Sequence, residues 1–184
     1  ACGPGLTLEA TPIIQGVLNN DCPLILDADG LNILAILGTQ KLSRRASPTV
    51  LTPHAGEFKR LFPDAPSPMQ DRISAVREAA QTSKAVVLLK GARTAIANPL
   101  GQVWINPEST PALARGGSGD VLTGLLGGLL AQATAQHISV DAIAACAAWW
   151  HSQAGILAER ERTQIGVDAF TLTQFLIPVL HQSV

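Results

Sequence analysis

Ala85-Val86-Val87-Leu88-Leu89-Lys90-Gly91-Ala92-Arg93-Thr94 decides the fold. The apolar run is unbroken, β-branched at its start and closed by a Lys-Gly turn, so it reads as a strand buried on both faces. Upstream, the pattern of residues 70–83 predicts a helix, opened by the capping-box spelling Ser67-Pro68-Met69-Gln70. Further back, strands are expected at 49–52 and 23–27, and helices at 55–62, 30–37 and 7–19. Downstream, residues 94–97 and 102–105 flank Asn98-Pro99-Leu100-Gly101 and read as a hairpin. A Pro, Ser and Gly-rich loop leads into helices at about 120–136, 139–160 and 168–181. Strands alternating with helices predict an α/β fold with a mainly parallel central sheet flanked by helices.

Composition narrows the function. The chain has 184 residues, 47% hydrophobic and 15% charged, which suits one domain with a real core. Lys plus Arg is 13 and Asp plus Glu is 14, so no bulk charge attracts nucleic acid or anionic lipid. Aromatics are 4% with no Tyr, which argues against a base-stacking platform. Cys2, Cys22 and Cys146 form no CxxC pair and no zinc spacing, and read as incidental thiols of a reducing compartment. No signal peptide pattern is visible, and the apolar stretch from Val121 is too short for a membrane span. A cytoplasmic protein without membrane or nucleic-acid partners is expected.

Arg115-Gly116-Gly117-Ser118-Gly119-Asp120 runs directly into a helix. Glycines let backbone N–H groups approach a ligand, and a helix N-terminus adds free donors and a positive dipole end. Phosphate is the usual occupant of such a site. The loop is not a Walker A motif, because no Lys-Ser or Lys-Thr closes it. Asp120 either caps the helix or accepts a proton from a hydroxyl attacking the phosphate. Lys90-Gly91-Ala92-Arg93-Thr94 ends the decisive strand, where open α/β sheets bind ligands. Asp27-Ala28-Asp29 and Thr52-Pro53-His54-Ala55-Gly56-Glu57 end two other strands. Each has an ordinary reading: Asp29 as a helix cap, Glu57 as a first-turn acid, His54 as a solvated turn residue. Together they suggest one shared cleft. His151 falls on the apolar stripe of its helix and reads as a satisfied core histidine, while Gly124 and Gly128 read as a close-packing face.

These segments resemble the ribokinase-like superfamily. More narrowly, they are similar to the ADP- or ATP-dependent NAD(P)H-hydrate dehydratase family, the C-terminal domain of bifunctional nicotinamide-nucleotide repair proteins. The match runs in order through Gly3-Pro4-Gly5-Leu6, Leu26 to Asn32, the Thr52 and Lys90 turns, Asn106-Pro107, and Ala114 to Gly124. The resemblance implies that Lys90, Gly91, Ala92, Arg93, Thr94 and Gly119 contact the adenine nucleotide. It implies that Gly5, His54 and Asp120 contact the hydrated nicotinamide nucleotide, with Asp120 catalytic. The implied reaction is phosphoryl transfer from ADP or ATP, with Mg²⁺ bridging the phosphates, to the hydroxyl of the S-form hydrate (NADHX or NADPHX). Loss of phosphate then regenerates NADH or NADPH.

Two departures stand out. The family's segment before Gly3, which carries strands of the same sheet, is absent, and Thr7 stands where a third glycine is expected. Residues 1–184 are therefore expected to form a single ribokinase-like domain lacking the N-terminal strands of the family. Its expected partners are an epimerase domain or the absent upstream segment, and a second copy of itself in a homo-oligomer. A small-molecule kinase of the same superfamily, or a nucleotide-binding fragment without turnover, would use the same loop. Release of phosphate with rising NAD(P)H absorbance separates the dehydratase from both.

Overall fold

The computed structural model describes residues 1–136 and 138–182. Five short strands form one sheet in the order β1-β2-β3-β4-β5. They are β1 Leu24–Leu26, β2 Thr49–Leu51, β3 Val86–Leu89, β4 Ala95–Ala97 and β5 Val103–Ile105. The first three run parallel, and β3, β4 and β5 are antiparallel neighbours. Cys2 adds a parallel bridge to Leu26 on the other side of β1. The helices are α1 Thr11–Leu18, α2 Asp29–Leu37, α3 Ala55–Leu61, α4 Arg72–Ser83, α5 Ser118–Ala135, α6 Val140–Arg162 and α7 Ala169–Phe175. Among the described residues, no helix is long and apolar enough to cross a membrane.

The twofold alternation of strand side chains sorts the core into two layers. Leu24, Leu26, Leu51, Val87 and Leu89 face one side, where Ile14, Leu34, Phe58 and Val76 of α1–α4 cover them. Ile25, Val50, Val86, Leu88 and Ile96 face the other, against Leu122, Leu126 and Leu130 of α5 and Ala144, Ala147 and Ala148 of α6. Burial on both faces explains why these strands read as continuous apolar runs. A third cluster joins the second half of α6 to α7 through Ala154, Leu157, Ala158, Leu172 and Phe175.

The hairpin forms where its turn residues predict. Asn98 Oδ1 accepts the N–H of Leu100 and of Gln102, and its amide nitrogen donates to the buried Asp141 at 2.8 Å. Three local expectations fail. The Ser67 box does not open α4: the N–H groups of Gln70 and Asp71 both bond Ser67 O, and Asp71 caps the helix from Ser74 N–H at 2.9 Å. A carboxylate suits a helix N-terminus on charge grounds as well as geometry. The helix expected over 168–181 stops at Phe175 and resumes as a 3₁₀ turn, Pro178–Gln182. Pro178 has no N–H to give and disfavours helical backbone at Ile177. Finally, Gly124 and Gly128 lie on the exposed side of α5 with nothing within 4 Å of a built Cβ, so they pack against no helix.

Thr7 has φ 56°, in the left-handed region that favours glycine. Its N–H donates to Asp29 Oδ2 at 2.9 Å, which fastens the turn after Gly5 to the start of α2. A β-branched residue held there carries about 1–3 kcal/mol of strain. Thr7→Gly is expected to raise the unfolding free energy by about 1 kcal/mol, after the entropy cost of a glycine in the unfolded chain. Urea unfolding checks this, and an unchanged or lower midpoint contradicts a glycine-like backbone at Thr7.

Candidate active site

Because β1, β2 and β3 run parallel, their carboxyl ends share one rim. Asp27 follows β1, the Thr52-Pro53-His54 turn follows β2, and Lys90 follows β3. Lys90 Nζ lies 2.7 Å from Asp27 Oδ1 and 4.0 Å from Glu57 Oε2. Asp27 is only 2% exposed. Its carboxylate also accepts Ala28 N–H at 2.9 Å and the Thr123 hydroxyl at 2.8 Å. Thr123 is on α5, so this bond fixes the glycine-loop helix to the end of β1.

The loop enters α5 two residues earlier than expected. Gly117, at φ 85°, is the N-cap and Ser118 the first helical residue. Asp120 is therefore the third residue of the helix and not its cap, and it is exposed. The N–H groups of Gly119 and Asp120 have no partner among the described residues. A Cβ on Gly119 would stand 3.5 Å from Lys90 Nζ and 3.8 Å from Asp27 Oδ2. The glycine thus leaves open the space where free amides and an ammonium converge.

A cleft of about 910 Å³ opens here. Its walls include His54, Lys90, Gly91, Ala92, Arg93, Thr94 and Gly119. Those are the residues expected to hold the nucleotide, together with His54. Gly5 and Asp120 are not among the lining residues. Gly5 stands in the N-terminal turn with φ 74° and open space around it. The 106–117 loop forms the opposite wall and is bolted to α6. Asn106 Nδ2 donates to Ala148 O at 3.2 Å and Ser152 Oγ at 2.8 Å, and the Thr110 hydroxyl donates to Glu159. Leu113 fills the space left by the missing side chain of Gly155.

The ordinary readings of three residues change. His54 is the N-cap of α3: its Nδ1 accepts the N–H of Gly56 and of Glu57, and Glu57 accepts the His54 N–H in return. The cap of α2 is Ala28, and Asp29 is the first helical residue, tied to Thr7 and Asn32. His151 is buried, as its stripe predicts, but it lines the cleft and meets Ser118. Ser118 and Thr123 lie within the glycine-loop segment, but nothing in its spelling marks them as the ties to His151 and Asp27.

Burial lowers the His151 pKa to about 4, partly offset by its bond to the Ser118 backbone and deepened by the Lys90 charge. The unfolded chain takes up this proton near the ordinary value of 6.5, and the folded chain only near 4. The stabilisation is therefore full above 6.5 and is lost as pH falls through that window. Its size is on the order of 3 kcal/mol. Denaturant melts at neutral pH and near pH 4 are expected to show that loss, and His151→Gln is expected to remove it. An equal acid loss in both proteins contradicts a neutral buried His151.

The donor set fits a polyphosphate: Lys90, Arg93, Arg115 and the free amide of Gly119 stand at one cleft, with the free Asp120 amide next along α5. Among the described residues, no cluster of three or more His, Cys, Asp or Glu could hold a metal ion. Mg²⁺ takes most of its ligands from phosphates and water, so binding it with the nucleotide does not require such a cluster.

Comparison with known proteins identifies the family and the fold. A family model described as NAD(P)H-hydrate dehydratase matches residues 1–178. A bifunctional NAD(P)H-hydrate repair enzyme of Synechocystis sp. is 56% identical over 183 residues, 99% of this chain and 34% of that protein. Its counterpart in Thermosynechococcus vestitus is 54% identical over 100% of this chain and 35% of its own length. The chain thus spans about a third of these relatives. An ADP/ATP-dependent NAD(P)H-hydrate dehydratase from Bacillus subtilis, crystallised with ATP and Mg²⁺, superposes with a TM-score of 0.84 at 33% identity, covering 98% of this chain and 62% of that one. A ribokinase-like superfamily protein from Enterococcus faecalis gives a TM-score of 0.75 at 26% identity over 97% of this chain and 60% of that one. The fold is ribokinase-like, and the chain belongs to the NAD(P)H-hydrate dehydratase family.

Proposed function

We propose that residues 1–184 form a single dehydratase domain that uses ADP or ATP to convert the S-form of NAD(P)H hydrate back to NAD(P)H. The observation that carries this reading is the convergence of Lys90, the free Gly119 amide and the Asp27–Thr123 tie at one strand-end cleft. Lys90 and the first turn of α5 hold the transferring phosphates. The turn Gly91–Ala92–Arg93–Thr94 lies along the nucleotide. His54 and the Gly5 turn bound the hydrate on the other side of the rim, where exposed Asp120 faces its hydroxyl.

Asp120 accepts the hydroxyl proton as that oxygen bonds to the terminal phosphorus, and AMP or ADP departs with the electrons of the broken P–O bond. The C–O bond then breaks with its electrons passing to phosphate, and loss of a proton from the adjacent ring carbon restores the double bond. Bound Mg²⁺ supplies charge neutralisation on the phosphates. The reading extends to a cytoplasmic site of action, to a homo-oligomer, and to an epimerase domain on the same longer polypeptide that supplies the S-form.

The test is a spectrophotometric assay of the hydrate with ADP and with ATP, coupled to measurement of phosphate. Rising reduced-nicotinamide absorbance with stoichiometric phosphate is expected. Nucleotide-dependent formation of a stable phosphorylated product, without that absorbance, would overturn the dehydratase reading.

A further inference from the structure

His151 is 7% exposed, yet it lines the cleft and meets the glycine loop. Its Nε2 lies 3.0 Å from Ser118 O and 3.3 Å from Ser118 Oγ. A carbonyl oxygen can only accept, so Nε2 carries the proton and donates it. The neutral ring then has Nδ1 as its lone-pair nitrogen, and Nδ1 has no partner among the described residues.

The acceptor is significant because of what shares its peptide. Ser118 C=O and Gly119 N–H belong to one planar trans unit, so they point in opposite directions. Fixing the oxygen fixes the aim of the hydrogen. Gly119 N–H is one of the free donors of the loop, beside Lys90. Gly119 has no Cβ to pack against its surroundings, so the first turn of α5 and the bond from His151 are what hold this peptide unit. Gly117 is held from a second side, since a Cβ there would stand 2.7 Å from Ala169 Cβ of α7.

We infer that His151 is a positioning residue for nucleotide binding: its Nε2–H holds the Ser118 carbonyl and so aims the Gly119 amide at a phosphate. This rests on the reading that nucleotide phosphates occupy the glycine loop. His151 touches neither phosphate nor hydroxyl in this role, so the chemical step should be spared.

Isothermal titration of ADP with Mg²⁺ into the 184-residue chain tests this, comparing wild type, His151→Leu and His151→Gln. Leu fills the space without a donor, whereas the Gln amide nitrogen reaches the position of Nε2. His151→Leu is expected to weaken ADP binding about 10–100-fold, the range for one charge-assisted hydrogen bond. His151→Gln is expected to restore binding to within about threefold. In turnover assays the loss should appear in the nucleotide KM and not in kcat. The NMR amide signal of Gly119 without nucleotide reads the same clamp directly: shifted or broadened in His151→Leu, near wild type in His151→Gln. Wild-type binding by His151→Leu, or Gln as weak as Leu, overturns the inference. If wild type binds no ADP, the nucleotide reading fails, and the Gly119 amide signal still decides whether His151 clamps the loop.

Discussion

Asp120→Asn is expected to lower hydrate turnover by about 10²–10⁴-fold, the range for loss of a general base, while ADP affinity stays within a few-fold of wild type. Asn keeps the shape of the side chain and removes its proton-accepting charge. Asp120 is exposed on the first turn of α5, so the fold asks little of it. Only its interaction with the helix N-terminus is lost, about 0.3–1 kcal/mol. Its own N–H remains free to meet a phosphate. Single-turnover kinetics with saturating ADP and parallel titration calorimetry check both halves. Near-normal turnover would remove Asp120 from the chemistry, and a collapse of binding would make it a nucleotide ligand.

Lys90→Met is expected to destabilise the fold by about 3–5 kcal/mol, the cost of leaving a buried carboxylate without its partner. Asp27 is nearly sealed, and Lys90 is its only cation within salt-bridge distance among the described residues. Ala28 N–H and the Thr123 hydroxyl would remain, but neither carries charge. Loss of nucleotide binding in this variant alone would therefore be ambiguous. The double variant Asp27→Asn with Lys90→Met removes both charges and is expected to recover most of the stability. It should still bind ADP weakly, because the phosphates have lost their ammonium. Urea melts and ADP titrations of both singles and the double form the cycle. If the double binds ADP as wild type does, Lys90 serves the fold and not the ligand.

The parts of the molecule legible in the sequence are those set by neighbours along the chain. The β3 run, the Asn98–Gly101 turn and the glycine loop declare themselves through local residue chemistry. Thr7 is instructive: a β-branched residue occupies a place where glycine is expected, and its backbone takes the glycine conformation regardless. Local signals also compete. Ser67 and Asp71 both offer caps, and the charged one nearer the helix wins. Pro178 carried a stop signal that a continuous apolar pattern concealed. What the sequence could not disclose are the long-range ties. Thr123 reaches Asp27 across 96 residues, and His151 meets Ser118 across 33. Each is an ordinary helix residue until the strand ends bring its partner into range.

A crystal structure of the chain grown with ADP and Mg²⁺ bears most directly on the phosphate site. The β-phosphate is expected against the N–H groups of Gly119 and Asp120, with Lys90 Nζ on one side and the Asp120 carboxylate facing the open side of the phosphorus. Nucleotide seated elsewhere, with the glycine loop vacant, would contradict it.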